Sequence, residues 1–186
     1  MKHFMTILIL ITLGMTVAIG IASAATSMGG PFTLTDQNRK QVSDSDFRGK
    51  LMMVFFGFTN CPDLCPTTLL IMSQTMEQLK EDSAKVVPIF VTIDPERDTP
   101  AAMKTFLGSF NPAIVGLTGT QAQIDKMQAD YKTYSLKVDA KDAPGGHTFD
   151  HSGYIYLMDK QGKFLIVFTA DSSPQTIAAK IREYAK

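Results

Sequence analysis

The stretch of sequence that decides the fold is LMMVFFGFTNCPDLCP, residues 51–66. Its first part, Leu51 to Phe58, is apolar throughout, which is typical of a central strand buried on both faces. Residues 66–81 then place apolar side chains at helical spacing. The sequence therefore predicts a buried strand, a short loop that carries cysteines, and a helix that begins at the end of this loop.

Cys61 and Cys65 are the only cysteines of the chain. A helix N-terminus carries partial positive charge and unpaired amide donors, and both favour the thiolate form of a nearby cysteine. On a helix, residues four apart share one face with their Cα atoms roughly 6 Å apart, which a disulfide tolerates. A disulfide that closes so short a loop stabilises little. The pair is therefore predicted to be either a redox couple or two ligands of a metal ion, and never both at once.

Outside this stretch, strands and helices alternate along the chain. Strands are predicted at 86–93, 114–117 and 134–138, and helices at 100–110, 120–131 and 173–184. Hairpins are predicted at 32–45 and 154–169, and a polar loop at 139–147. This order predicts an α/β fold with a mixed central sheet flanked by helices and an N-terminal hairpin extension.

A third metal ligand has to come from another residue type. Two thiolates suit a soft ion, copper(I) above all, and a nitrogen donor extends the site to copper(II). His151 is expected to enter a core strand, whereas His147 lies in a glycine-containing loop. His151 is therefore preferred, but His147 remains open because it is only four residues away. Zinc is the competing metal, with Asp63 or Asp150 as the fourth ligand that it usually needs.

The N-terminal residues resemble a targeting segment. Lys2 precedes an apolar run over residues 4–22, and Ala22-Ser23-Ala24 fits a signal-peptidase site. The run is also about long enough to span a membrane. Residues 1–24 are thus predicted to be a signal peptide or an anchor, 25–30 a linker, and 31–186 one exported domain. The formal net charge is zero and no basic stripe is present, which argues against a nucleic-acid partner.

The motif from Gly57 to Pro66 resembles the hallmark of the SCO/SenC family. Further stretches resemble the family in the same order along the chain. They are Gly30-Pro31-Phe32-Thr33-Leu34, the acidic loop Asp94-Pro95-Glu96-Arg97-Asp98-Thr99-Pro100, Gly116-Leu117-Thr118-Gly119, and Asp150-His151-Ser152. The resemblance extends over about residues 29–185.

This resemblance implies a thioredoxin-like fold on the periplasmic side of the inner membrane, and one copper ion held by Cys61, Cys65 and His151. It implies a monomeric chaperone that builds the copper centre of cytochrome c oxidase subunit II, by delivering copper, by reducing that subunit's cysteines, or both. A copper donor and a thiol reductant protein are the further partners expected. The alternative is a thiol-disulfide reductase of exported proteins, with Cys61 and Cys65 as its catalytic, reversibly oxidised pair.

Four residues outside the ligand set bear on this interpretation. Asp94 matches an acidic position near the family's site, although ending a strand and starting a turn is the preferred explanation for it. Asp98 is expected to cap the helix that begins at Pro100. Asn60 stands where many members carry histidine, and the stretch that ends at His147 matches no fixed segment of the family.

Overall fold

The computed structural model describes residues 28–186. The targeting segment predicted at 1–24 and the first residues of the linker lie outside the described part of the chain. Within residues 28–186, none of the helices is both long and apolar enough to cross a membrane.

Nine strands and four α-helices are formed within residues 28–186. The strands are β1 Thr33–Asp36, β2 Gln41–Ser43, β3 Leu51–Gly57, β4 Val86–Thr92, β5 Val115–Thr118, β6 Ser135–Asp139, β7 His147–His151, β8 Ile155–Met158 and β9 Phe164–Phe168. The helices are α1 Leu64–Leu79, α2 Pro100–Leu107, α3 Gln121–Tyr131 and α4 Pro174–Tyr184.

Seven of these strands form one mixed sheet in the order β2-β1-β5-β4-β3-β8-β9. β3, β4 and β5 run parallel, and their neighbours on both sides are antiparallel. Every residue of β3 is buried, which explains why its sequence is apolar without alternation. The predicted mixed sheet, the N-terminal β1–β2 hairpin and the β8–β9 hairpin are thereby confirmed.

α1 begins where the loop after β3 ends, and it packs beside α4. Met72 and Met76 of α1 are buried in the hydrophobic core. Parallel strands end at the same edge of a sheet, so the loops after β3 and β4 are neighbours in space.

The two remaining strands, β6 and β7, form a separate antiparallel hairpin. The polar loop predicted at 139–147 is therefore shorter than expected, because the strands pair from Ser135↔His151 to Asp139↔His147. The expectation that His151 begins a core strand is wrong, since His151 is the last residue of β7. Gly145 and Gly146 both have positive φ and end the loop, residues 140–146, that joins the strands.

Candidate metal centre

The loop between β3 and α1 carries the two cysteines in different settings. Cys65 is the second residue of α1 and is fully buried, whereas Cys61 lies before the helix and is partly exposed. The expectation that both lie on one helix face is therefore wrong. Instead, the backbone N–H of Cys65 donates to the Cys61 Sγ at 3.3 Å, so this sulfur accepts from a free amide of the first helical turn.

Gly57, at the end of β3, leaves room for the buried cysteine. A Cβ atom at this position would lie 2.7 Å from the Cys65 Sγ and 2.8 Å from the Phe90 ring. Any larger residue would therefore displace the sulfur or the ring from the site.

His151 brings a nitrogen donor to the two sulfurs. Its Nε2 lies 3.5 Å from the Cys65 Sγ and 3.9 Å from the Cys61 Sγ. Its Nδ1 lies 3.1 Å from the Ser152 carbonyl oxygen, which can only accept, so Nδ1 carries a hydrogen and Nε2 is the atom available to a metal ion. The rings of Phe55 and Phe58 pack against the imidazole and hold its orientation.

These three side chains fit a small soft metal ion. Their donor atoms all lie within 4.8 Å of one another. Metal bonds of about 2.3 Å to sulfur and 2.0 Å to nitrogen, at a trigonal angle, place the two ligands about 3.7 Å apart. The distances between His151 and the two sulfurs match this spacing, and neither Asp63 nor Asp150 belongs to the cluster of described residues.

The two thiols differ in acidity. Hydrogen bonds, first from the Cys65 thiol and also from the Cys65 backbone amide, lower the pKa of Cys61 to about 4 against the opposing effect of burial. Burial raises the pKa of Cys65 well above its ordinary range. At neutral pH the pair thus holds one thiolate and one proton, and metal binding has to release that proton.

Asp98 supports the cysteine loop through hydrogen bonds, a role that its local sequence does not indicate. The helix cap expected at Asp98 is wrong, because the Thr99 side chain caps α2 by accepting from the backbone N–H of Ala102. Asp98 is fully buried and accepts hydrogen bonds from the backbone and hydroxyl of Thr59 and from the hydroxyl of Thr92. It thereby ties the loop after β3 to the end of β4.

Asp94 and His147 lie together in a second cluster. The Asp94 carboxylate pairs with Arg97 and lies 3.6 Å from the His147 ring. His147 is buried there beside Asp94, with the exposed Glu96 close by, and is absent from the cluster formed by the cysteines. The two histidines that the sequence left open are thus separated by the structure, and His151 is the one that meets the sulfurs.

An open cleft of about 270 Å³ borders the metal-ligating cluster. Its walls include Cys61, Pro62, Leu64, Phe149 and His151. The partly exposed Cys61 therefore lines an open recess at the protein surface.

A mixed sheet with a strand–cysteine loop–helix unit and a facing histidine defines a thioredoxin-like protein with a dithiol site able to bind metal. A family model for SCO1/SenC matches residues 21–186, and the chain belongs to this family. An SCO2-like protein of Rickettsia felis is 41% identical over 150 residues, which cover 81% of this chain and 73% of that protein.

Solved structures agree with this assignment. The structure of Bradyrhizobium japonicum ScoI with copper bound is 46% identical, covers 85% of this chain and 99% of its own, and gives a TM-score of 0.79. BsSco, studied for a disulfide switch and described as a member of the Sco family of cytochrome c oxidase assembly proteins, is 26% identical. It covers 86% of this chain and 94% of its own, with a TM-score of 0.71. The predicted thioredoxin-like fold and family are confirmed.

Proposed function

We propose that this protein is a copper chaperone that binds one copper ion through Cys61, Cys65 and His151 and delivers it to the copper centre of cytochrome c oxidase subunit II. The observation that carries the proposal is the convergence of two sulfurs and the His151 Nε2 at ligand spacing. The copper bound to B. japonicum ScoI and the assembly role of the BsSco family support both the metal and the process.

The exposure and protonation of the two cysteines predict the order in which the ligands bind copper. Cys61 is the exposed thiolate and binds the incoming ion first. Cys65 then loses its proton as its sulfur joins the site, and His151 Nε2 completes the ligand set. Release also begins at Cys61, because a partner in the cleft beside it reaches this partly exposed sulfur before the buried one.

A second function, reduction of a partner's disulfide, is favoured by the unequal burial of the two cysteines. The Cys61 thiolate attacks one sulfur of the partner disulfide, that S–S bond breaks, and a mixed disulfide forms. Cys65 then loses its proton and attacks the Cys61 sulfur. The partner leaves as a dithiol, and this protein keeps the two-electron-oxidised disulfide.

Titration of copper into the reduced, purified protein tests the ligand set. We expect one copper(I) ion per chain, and a thiolate-to-copper(II) charge-transfer band when copper(II) is used. Cys61→Ser, Cys65→Ser and His151→Ala should each weaken binding at least tenfold, and His147→Gln is the matched histidine control with unchanged binding. Equal affinity in the His151→Ala and His147→Gln variants would exclude the proposed ligand set.

Assembly of the oxidase in cells separates the two functions. Disulfide reduction needs both cysteines but does not need His151. Loss of the subunit II copper centre in cells that carry His151→Ala supports copper delivery, whereas normal assembly supports reduction. Direct reduction of a subunit II disulfide by the purified metal-free protein is the complementary measurement.

We also propose that residues 31–186 form a monomeric domain on the periplasmic side of the inner membrane, exported by the targeting segment at 1–24. A copper donor and a thiol reductant in the same compartment are the partners that this placement requires, because exported thiols oxidise. Protease accessibility in intact spheroplasts, with N-terminal sequencing of the mature protein, tests the location and whether the segment is cleaved.

A further inference from the structure

Away from the cysteines, a second group of metal-ligating side chains lies at the start of β7. The Asp94 Oδ1 is 3.6 Å from the His147 Nε2, and the Glu96 carboxylate brings a third donor within 4.8 Å. Asp94 is 2% exposed and His147 is 7% exposed, whereas Glu96 reaches the solvent.

The orientation of the His147 ring leaves its Nε2 without a hydrogen-bond partner. The Nδ1 lies 3.1 Å from the carbonyl oxygen of Gly145, an acceptor, and so carries a hydrogen. The buried Nε2 has no hydrogen bond among the described residues and faces the Asp94 carboxylate. Two electron-pair donors that face each other in a buried place repel one another unless a cation lies between them.

The spacing limits what this cation can be. A water molecule that bridges two acceptors keeps them about 4.5 Å apart or more, so the 3.6 Å gap is too short for one. Metal bonds of about 2.0–2.1 Å span the gap at an angle of about 120°. One imidazole with carboxylates suits zinc and similar divalent ions, whereas the dithiolate of the first cluster suits softer copper(I).

We propose that Asp94, Glu96 and His147 form a second metal site that binds a divalent cation of the zinc type. It is separate from the copper cargo, because no donor is shared with Cys61, Cys65 and His151. His147 is the first residue of β7 and His151 is the last. A cation held at the start of β7 therefore fixes the strand that carries the copper ligand.

Two basic side chains near this site affect its affinity for a cation. Arg97 pairs with the second oxygen of Asp94 and holds the carboxylate in place, while its charge opposes an incoming cation. Lys137 lies 3.2 Å from Glu96, but both side chains are more than half exposed, so this ion pair costs little to break. We expect zinc to bind here more weakly than copper(I) binds the thiolates.

Zinc binding to a cysteine-free protein tests the site independently of copper. In a tag-free Cys61→Ser/Cys65→Ser variant, titration calorimetry and metal analysis should find about one zinc ion per chain. Adding His147→Gln should weaken binding at least tenfold. Adding Glu96→Gln should weaken it about three- to tenfold without affecting folding, because Glu96 is exposed. Adding His151→Gln is the control and should leave zinc binding unchanged.

Imidazole ¹⁵N NMR distinguishes a metal ion from a proton between the His147 Nε2 and the Asp94 carboxylate. Zinc should shift the Nε2 resonance of His147 and leave that of His151 in place. Absence of zinc binding would overturn the proposal, and protonation of both His147 nitrogens would then show a simple ion pair with Asp94. Zinc that binds equally well in the Glu96→Gln and His147→Gln variants would also overturn it. The copper titration uses the cysteine-intact protein and the zinc titration the cysteine-free protein. A failure of the copper site is therefore distinguishable from a failure of the zinc site.

Discussion

At the scale of single residues, the two cysteines of one motif have different chemical roles. Cys61 is partly exposed at the cleft and holds the thiolate, whereas Cys65 is buried beside Gly57 and keeps its proton. We therefore expect an incoming metal ion or disulfide to react with Cys61 first, and Cys65 to follow once its proton has left.

Alkylation of the reduced, metal-free protein with iodoacetamide measures this asymmetry. Cys61 should react first, with a rate that rises around pH 4 and is constant above about pH 6, in place of the midpoint near 8.5 of a free cysteine. Peptide mass spectrometry identifies the modified residue. Cys65→Ala removes the largest contribution to the low pKa of Cys61 and should move the midpoint upward. A wild-type midpoint near 8.5, or first reaction at Cys65, contradicts the assignment.

Asp98 gives a second residue-scale prediction. Asp98→Ala leaves the Thr59 amide and two hydroxyls without their acceptor, so urea unfolding should show a loss of about 2–4 kcal/mol. Asp98→Asn keeps one acceptor and should lose about half as much. An unchanged stability of Asp98→Ala would show that the cysteine loop does not depend on this carboxylate.

The pH dependence of Asp98→Asn has a defined sign. Burial raises the pKa of Asp98, so the folded state retains this proton to higher pH than the unfolded state does. Stability supplied by the protonated acid is present below the unfolded pKa and declines as pH rises through the folded pKa. The stability gap between wild type and Asp98→Asn should therefore narrow from pH 4 towards neutrality. A gap that widens over this range contradicts the raised pKa.

The sequence predicts residues whose neighbours are local, and it misses those whose partners are distant. The cysteine pair follows from a strand, a loop and a helix start that adjoin in the chain. The contact between Asp98 and Thr59 joins residues 39 positions apart, and a local capping rule pointed Asp98 to the wrong partner. For His151 the position expected in a core strand is wrong, and only the resemblance to the family indicates this residue correctly, because no local pattern shows that the end of β7 faces the cysteine loop.

At the scale of elements, the β6–β7 hairpin positions His151 beside the two sulfurs. Arg97 holds the loop of this hairpin in place, because the Arg97 guanidinium donates to the carbonyl oxygens of Pro144 and His147. The same guanidinium pairs with Asp94 in the loop after β4. Arg97 therefore connects the main sheet to the element that positions His151.

Arg97→Ala should loosen the hairpin without unfolding the main sheet. We expect faster hydrogen exchange over residues 135–151 and a copper affinity about tenfold lower, since an ordering cost is added to binding. Arg97→Lys cannot reach both carbonyl oxygens and the carboxylate together, so it should fall between the alanine variant and wild type. Wild-type exchange and affinity in Arg97→Ala would show that the hairpin is held by other contacts.

The elements differ in how well sequence predicts them, for a physical reason. β3 and β4 lie inside the sheet, so burial on both faces produces long apolar runs that are easily recognised. Four of the five residues of β6 are exposed, and β7 is largely polar. Backbone pairing and a glycine turn define this hairpin, and neither produces a hydrophobic pattern in the sequence.

At the scale of the whole molecule, the metal centre joins parts of the chain that are about 90 residues apart. Cys61 and Cys65 follow β3, whereas His151 belongs to a hairpin outside the main sheet. A ligand that binds such a site only in the folded state stabilises the entire fold. Copper should therefore act on global stability as well as on the local loop.

Thermal unfolding tests this linkage. With free copper(I) buffered at about 1,000 times its dissociation constant, the stabilisation is about 4 kcal/mol, which raises the midpoint by about 10 °C in a domain of this size. His151→Ala should show a smaller rise because one of the three ligands is lost. Oxidised protein, with Cys61 and Cys65 in a disulfide, has no thiolates to offer and should show no rise. An equal copper-induced shift in the oxidised and reduced proteins would mean that copper stabilises the fold from a place other than the cysteine loop.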